Sequence, residues 1–420
     1  MLGKILKMLL IVLLLAVLGA LAYWLCLIKG WPWWVAAVLV AGVVGLWIGF
    51  LYLKKHLLRS REKKFVQRVI EQDSAAIAKV PISERHQLLE LQEHWRESIR
   101  RLQDSHLRKR GNPLYVLPWY LVVGESGAGK TSAIRNSRLS SPMTEVVRAT
   151  GVTGTRNCDW WFFEQAIILD TAGRYTIPVE EVQDLEEWKR FLTLLSKYRK
   201  KEPLNGVVVA VAADRLLSAD EKALREDGQM VRQRIDQIMR VVGAKFPIYI
   251  LVTKMDLAHG FTEFSRHLPP DSLSQAMGHS NTKSKVFWQD VLDEGMASIG
   301  ERLRKLRFIL VHETGGMAPS AILFPQEFDR LKPGMEGFLR AVFEENPYQE
   351  TPLLRGIYFS SARRNGAPTS PFLETVGLQP GKGDGADSEE GFFLGDFFGK
   401  ILPNDRNLYR PIREFVLWRR

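Results

Sequence analysis

One stretch, residues 124–131, constrains the fold more than any other part of the chain, because it reads Gly-Glu-Ser-Gly-Ala-Gly-Lys-Thr. The apolar residues 119–123 precede it, and a helix-forming sequence begins near Ser132. A strand, a glycine-rich loop and a helix in this order point backbone N–H groups at one place, where the helix N-terminus adds partial positive charge. The pattern predicts a loop that binds a polyphosphate; an ordinary glycine turn is the alternative.

Two side chains at the end of this loop suit a bound nucleotide with Mg²⁺. Lys130 is expected to reach the β- and γ-phosphates, and the Thr131 hydroxyl to bind the metal ion. The loop residues predicted to contact the nucleotide are Gly124, Glu125, Ser126, Gly127, Ala128, Gly129, Lys130, Thr131 and Ser132.

A second motif, Asp170-Thr171-Ala172-Gly173, follows the apolar run 166–169. In nucleotide switches, an aspartate at such a strand end faces Mg²⁺ and the glycine N–H senses the γ-phosphate. We therefore predict Lys130, Asp170 and Gly173 as catalytic residues, and Asp170 also as a metal residue; a turn without metal is the alternative. Thr155 is the favoured third Mg²⁺ residue, and Thr153 also qualifies by position.

A third motif, Thr253-Lys254-Met255-Asp256, ends the apolar run 248–252 and resembles the N/T-K-x-D element of GTPases. There the lysine stem covers the base and the aspartate accepts from guanine N1–H and N2–H. Thr253, Lys254 and Asp256 are therefore predicted base-binding residues, although a salt-bridged turn remains possible. Ser361-Ala362-Arg363 is a weak match to the loop behind the base. ATP and GTP both remain candidates for the cofactor, with Mg²⁺.

Strands and helices alternate along the chain, and the predicted ligand residues follow strands, which predicts an α/β fold of the P-loop NTPase (GTPase-like) type with a mostly parallel sheet. The apolar run 207–211 suits an interior strand. Residues 257–351 form a mostly helical insertion, because they are too many for a loop. The predicted divisions are a transmembrane hairpin (1–55), a charged helical connector (56–112), the nucleotide domain (113–378), a flexible linker (379–391) and an amphipathic C-terminal segment (392–420).

Two apolar stretches, residues 8–28 and 33–53, are each long enough for a helix to span the bilayer core of about 30 Å. Lysine and arginine residues flank the pair on both outer sides, whereas the short connection carries only Lys29. The positive-inside rule then predicts a hairpin with both chain ends in the cytoplasm. A buried hairpin of a soluble protein is the alternative.

The net charge of +11 raises the possibility of nucleic-acid binding. No basic stretch is interleaved with aromatic residues, so we expect no nucleic-acid partner and assign the excess charge to a face near anionic lipid. With only two cysteines in the chain, Cys26 and Cys158, a disulfide framework is not expected. The C-terminal segment could lie on the membrane or dock on the nucleotide domain, and both alternatives stay open.

Together with the apolar hairpin and the phosphate loop, several further stretches resemble the IcmF/TssM family, the inner-membrane component of bacterial type VI secretion systems. These stretches are residues 117–120, 155–162, 170–175, 203–207, 253–257, 352–361 and 392–410.

The resemblance implies an inner-membrane, multi-pass subunit of the secretion membrane complex, with TssL-like and TssJ-like partners and cytoplasmic baseplate contacts. It also implies a cytoplasmic domain that binds and slowly hydrolyses a nucleoside triphosphate, since some members are described as NTPases. Arg174 stands where many small GTPases have a water-orienting glutamine. Family members usually continue through a third membrane helix into a periplasmic region, so contact with the TssJ-like lipoprotein is in doubt here. A scaffold with a structural or vestigial nucleotide site, and a free-standing membrane-tethered GTPase, are the alternatives.

Overall fold

The computed structural model describes residues 82–140, 158–178, 181–282, 287–346, 350–362 and 391–411, together with scattered positions between 24 and 49. The chain divides into two compact units, Met1–Ala75 and Ala76–Arg420, and the α/β fold lies in the second. Among the described residues, no helix combines the length and apolar character that crossing a bilayer requires. Most of the predicted hairpin, much of the predicted connector, Thr153, Thr155, Arg363 and residues 379–390 of the predicted linker lie outside the described residues.

The elements of the second unit are numbered here in chain order. Its helices are α1 (Ile82–Asp104), α2 (Pro113–Val116), α3 (Lys130–Arg135), α4 (Glu181–Tyr198), α5 (Ala213–Ser218), α6 (Glu221–Val242), α7 (Phe261–Arg266), α8 (Pro270–Leu273), α9 (Trp288–Thr314), α10 (Pro319–Asp329), α11 (Leu331–Phe343) and α12 (Leu402–Asn404). Its strands are β1 (Trp119–Val123), β2 (Cys158–Phe162), β3 (Ile167–Thr171), β4 (Gly206–Ala212), β5 (Ala244–Lys245), β6 (Pro247–Thr253), β7 (Met277–Ser280), β8 (Leu353–Phe359) and β9 (Arg410–Pro411).

Seven of these strands form one sheet in the order β2-β3-β1-β4-β6-β8-β7. The five central strands are parallel, and the edge strands β2 and β7 run antiparallel to their neighbours. Strands β1, β3, β4 and β6 are buried along their whole length, as the continuous apolar runs require when both faces of a sheet are covered. The mostly parallel α/β sheet predicted from the sequence is confirmed.

Helix α6 shows how local sequence sets the limits of an element. The side chain of Asp220 accepts a hydrogen bond of 2.6 Å from the Ala223 N–H and caps the first turn. At the other end Gly243 adopts a left-handed conformation with φ of 66°, and its N–H bonds to Met239 O. Helix α6 therefore has both of its end signals in the sequence.

The insertion between Leu257 and Thr351 is mostly helical, as expected, but it also completes the sheet. Its strand β7 pairs antiparallel with β8 and becomes the sheet edge. Its last helix, α11, packs tightly on α6: a Cβ on Gly228 would lie 2.7 Å from the Phe338 carbonyl oxygen. The sequence carries no clear signal for β7, because its four residues are half buried or exposed and show little apolar pattern.

The C-terminal segment docks on one face of the sheet, which decides between the two alternatives for residues 391–411. Phe397, Phe398 and Leu402 are fully buried in a cluster with side chains from β1, β3, β4, β6 and β8. The Asp405 carboxylate accepts from Tyr249 Oη at 2.8 Å and from the guanidinium of Arg355 at 2.6 and 2.8 Å. The segment thus takes the place of a covering helix on this face.

Helix α1 packs on the opposite face of the sheet, together with α4. Trp95 is fully buried, and its ring lies 4.9 Å from Trp160 of β2, 5.6 Å from Phe191 and 5.7 Å from Tyr198 of α4. The apolar positions Leu91, Trp95, Ile99 and Leu102 recur at helical spacing and are all buried. The end of the predicted connector is therefore an integral part of the α/β unit.

Candidate functional site

The loop between β1 and α3 has a conformation that its glycines make possible. Gly124, Gly127 and Gly129 have φ angles of 150°, 79° and 75°, which side chains disfavour. A Cβ on Gly124 would lie 2.3 Å from the Ala210 carbonyl oxygen, so the loop also passes too close to β4 for any larger residue. The Ala128 N–H donates to Glu125 O at 3.2 Å and closes the turn.

Lys130 begins α3 and folds back over this loop. Its side chain is buried, and Nζ donates to the carbonyl oxygens of Gly124 and Glu125, each at 2.8 Å. An ammonium group has three N–H donors, so these two bonds fix its position and leave one donor for a ligand. Burial lowers the pKa of Lys130, and the nearby Asp170 and Glu125 oppose that shift.

Asp170 is the next-to-last residue of β3 and lies beside the start of α3, because β3 pairs with β1 in parallel. The Thr131 hydroxyl donates to Asp170 Oδ2 at 2.5 Å, and Asp170 is fully buried. A hydroxyl and a carboxylate are the hard oxygen ligands that Mg²⁺ prefers. Among the described residues, no group of three or more His, Cys, Asp or Glu could hold a metal ion.

The Asp170–Gly173 turn lies directly against the phosphate loop. A Cβ on Gly173 would lie 2.2 Å from the Ser126 nitrogen and 2.7 Å from the Glu125 carbonyl carbon. Only glycine allows this approach, so the position predicted to sense a γ-phosphate is adjacent to the loop predicted to bind it.

Arg174, next along the chain, points to helix α4. Its guanidinium donates to Asp184 at 2.6 Å and to Glu187 at 2.7 Å, and it lies 5.1 Å from the ring centre of Tyr175. Both carboxylates are buried, and Tyr175 Oη donates to Glu187 at 3.0 Å. Burial, the largest single influence, lowers the pKa of Arg174. The hydrogen bond with Asp184 and the charge of Glu187 together outweigh it, so the pKa of Arg174 is raised. Arg174, which stands where many small GTPases have a glutamine, is thus bound to α4.

The turn after β6 touches the phosphate loop from the other side. Thr253 Oγ1 donates to Ala128 O at 2.6 Å, and a Cβ on Gly129 would lie 3.7 Å from Lys254 Cγ. Lys254 has a φ of 54°, a left-handed conformation that costs a non-glycine residue about 1–2 kcal/mol. The Met255 N–H donates to Ser360 O at 3.1 Å, which fixes the turn in this strained state.

Asp256 is buried next to the end of β8, where the Ser361 hydroxyl donates to its Oδ1. Ser361 also exchanges two backbone hydrogen bonds with Phe392 of the C-terminal segment. The weak Ser361-Ala362-Arg363 match was the sequence signal for this contact. A second contributor had no such signal: Asn136, at the end of α3, donates to Ala362 O at 2.7 Å.

The structure therefore brings together, at the carboxyl edge of the sheet, every described residue of the predicted site. Residues 124–132, Asp170 and Gly173 form one side, and Thr253, Lys254 and Asp256 form the other. Ligands of open α/β sheets bind at this edge. Thr155 lies outside the described residues, and the roles of all these side chains remain predictions.

The fold and this edge define a class of α/β domain. Its mostly parallel sheet carries three features side by side: a glycine-rich loop with a lysine, a strand with an aspartate near its carboxyl end, and a Thr-Lys-x-Asp turn. The family model of the IcmF-related N-terminal domain matches residues 181–420. The chain belongs to this IcmF-related family, in agreement with the resemblance found in the sequence.

A curated relative is a type VI secretion system component TssM1 of Pseudomonas aeruginosa, 37% identical over 273 residues. The match covers 63% of this chain but only 25% of the relative, so the chain spans about a quarter of that protein's length.

Solved GTP-binding proteins show a slighter likeness. A signal recognition particle receptor SRb-GTP/SRX complex from Chaetomium thermophilum has 17% identity and a TM-score of 0.23, over 33% of this chain and 70% of that one. The small COPII coat GTPase SAR1 of Encephalitozoon cuniculi with GDP has 14% identity and a TM-score of 0.22, over 52% and 80%. Scores this low carry no functional argument.

Proposed function

We propose that this chain is an inner-membrane subunit of a type VI secretion membrane complex whose α/β domain binds a nucleoside triphosphate with Mg²⁺. Its family membership and its 37% identity to a TssM1 component support the secretion role. TssL-like and baseplate proteins are the proposed partners, with a TssJ-like lipoprotein reached through a periplasmic part outside this chain. Both ends of the chain are proposed to be cytoplasmic.

One observation carries the nucleotide proposal: the Lys130 ammonium is fixed by Gly124 O and Glu125 O beside the Thr131–Asp170 pair. A lysine that needed only burial would not require a loop in which three glycines adopt φ angles of 150°, 79° and 75°. Lys130 would neutralise phosphate charge, and Thr131 and Asp170 would hold the metal ion. Bound Mg²⁺ would supply a Lewis acid at the phosphate oxygens.

The contacts of Arg174 favour slow hydrolysis. The residue after Gly173 is bound by Asp184 and Glu187 on α4, so this chain offers no water-orienting group from that position. Hydrolysis would then depend on a rearrangement or on a group from a partner. The same contacts also support a second candidate function, a scaffold in which the nucleotide is structural.

The environment of Asp256 favours guanine over adenine. An ionised carboxylate only accepts hydrogen bonds, and guanine presents two neighbouring N–H donors where adenine presents an acceptor. Ser361 and the backbone bond from Met255 to Ser360 hold this carboxylate at the turn beside the phosphate loop. We therefore propose GTP as the preferred nucleotide, with ATP as the alternative.

Nucleotide titration of the full chain in detergent tests the phosphate site. Lys130→Ala should lower the affinity for triphosphate by about 10- to 100-fold, since charge-assisted hydrogen bonds contribute about 1.5–3 kcal/mol each. Lys222→Ala is the matched control, because that lysine is 85% exposed on α6. Equal affinities for the wild type and Lys130→Ala would refute the phosphate site.

Competition between GTP and ATP tests the base. Asp256→Asn should reduce the preference for GTP by about 10-fold or more, because an amide N–H₂ replaces an acceptor. Equal competition by ATP and GTP in the wild type would exclude the guanine assignment but leave the phosphate site standing. If Lys130→Ala chains bind no nucleotide yet still support secretion, the scaffold function is the correct one.

A further inference from the structure

The edge of the sheet opposite the candidate site is assembled from two connections that lead into the parallel strands β1 and β4, and from the C-terminal segment that ends in β9. Tyr115, just before β1, joins them: its Oη accepts from the Lys201 N–H at 3.4 Å, and its carbonyl oxygen accepts from Arg406 at 2.5 Å. Asn205, just before β4, bonds to the Trp119 backbone and to Arg406 O. The amino ends of β1 and β4 and the C-terminal segment therefore form one continuous surface.

This surface, the amino edge, is strongly cationic. Its exposed cations come from the α1–β1 connection, the α4–β4 connection and β9, and they are Arg108, Lys109, Arg110, Lys200, Lys201 and Arg410. The acidic groups among these connections and at the neighbouring β2–β3 turn are Asp104, Glu164 and Glu202, and Glu202 accepts from Asn205 at 2.7 Å.

Further along the same edge the charges are balanced. Lys245 of β5 pairs with Glu350, and Arg355 of β8 pairs with Asp405. The excess positive charge is thus confined to the part of the edge around β1, β4 and β9. A patch of six cations against three acids creates a positive potential of a kind that attracts a polyanionic surface.

We propose that the amino edge of the α/β unit lies against an anionic lipid surface. Each lysine or arginine near such a surface contributes about a fivefold increase in affinity at physiological salt. The chemistry fits a lipid surface because the cations come from three separate parts of the chain and form a broad patch. The candidate nucleotide site at the opposite edge would then face away from the lipid and remain accessible to cytoplasmic partners.

The proposal does not rest on nucleotide binding, because no residue of the amino edge belongs to the candidate site. It extends the proposed membrane location by naming the face of the domain that contacts lipid. An acidic protein is the other class of partner that such a patch could attract. Protection of the lysines by such a protein would not depend on the lipid composition.

Amine acetylation of the full chain in lipid nanodiscs tests the contact. The rate is measured by mass spectrometry at Lys109, Lys200 and Lys201, in phosphatidylcholine alone and in equal parts phosphatidylcholine and phosphatidylglycerol. We expect acetylation of these lysines to be about fivefold slower or more with phosphatidylglycerol. Lys222, which is 85% exposed at the opposite edge, is the internal control and should react equally in both.

Two further measurements keep the result interpretable. In about 1 M salt the Debye length falls to about 3 Å, so the protection should disappear. The variant R108E/K109E/R110E should restore fast acetylation of Lys200 and Lys201 in phosphatidylglycerol while Lys222 is unchanged. Equal acetylation rates in the two lipid compositions, or protection that survives both high salt and charge reversal, would overturn the proposal.

Discussion

Replacing Phe397 by alanine should destabilise the α/β unit strongly, although this residue lies near the end of the chain. Phe397 is fully buried, and its ring centre lies 4.8 Å from Tyr358, 4.9 Å from Phe398 and 6.1 Å from Tyr249. Truncating a core phenylalanine costs about 3–5 kcal/mol, which includes the lost burial and the cavity left behind. Domains are stable by only about 5–15 kcal/mol, so the loss is a large fraction of the total.

Urea unfolding of the full chain in detergent, followed by tryptophan fluorescence, measures this effect. The transition midpoint should move to a lower urea concentration while the slope stays the same, because the surface exposed on unfolding is unchanged. Phe308→Ala is the matched control, since Phe308 is 69% exposed on α9 and its ring centre lies 5.0 Å from the Arg307 guanidinium. We expect its effect to stay within about 0.5 kcal/mol.

A wild-type midpoint for Phe397→Ala would refute the docking of the C-terminal segment. It would mean that residues 391–411 are not held on the sheet in solution, and that the other interpretation of their sequence, a segment on the membrane surface, is correct. A loss of only about 1 kcal/mol would show that neighbouring side chains refill the space.

Three further predictions concern single polar side chains. Burial, the largest influence, lowers the pKa of His94 below 6.5, so the unfolded state binds a proton more readily than the folded state. The free energy of unfolding should therefore fall as pH drops below about 6.5, by at most about 1.4 kcal/mol per pH unit. His94→Gln should remove this dependence in urea melts. Glu187→Gln should cost about 1–3 kcal/mol by weakening the buried contact with Arg174, and an unchanged thermal midpoint would contradict it. Thr131→Ala, which leaves Asp170 without its hydroxyl partner, should raise the Mg²⁺ concentration needed for nucleotide binding but leave binding in EDTA unchanged.

The local elements of this fold follow from contiguous residues. The apolar run of β4 is buried at all seven positions, and α6 begins at the Asp220 cap and ends at Gly243. The phosphate loop has its conformation because its own glycines permit it and its own lysine closes over it. Each of these signals lies within a few residues, so the local structure can be predicted from neighbouring residues alone.

Contacts between side chains that are far apart in the sequence could be seen only in the tertiary structure. Ser361 reaches Asp256 across 105 positions, and Tyr249 reaches Asp405 across 156. The direction of Arg174 toward α4, the edge strand β7 and the docking of the C-terminal segment also had no decisive sequence signal.

The sequence by itself determined the strand–loop–helix units and the order of the motifs, because hydrophobic period, glycine positions and caps act over a single turn or strand. The tertiary structure alone decided which strands pair, which motifs meet at the carboxyl edge and which surface the last residues cover. The physical reason is that these outcomes depend on the free energy of burying apolar surface between several elements. This free energy arises only when the elements pack together, so it cannot be assigned to any one segment.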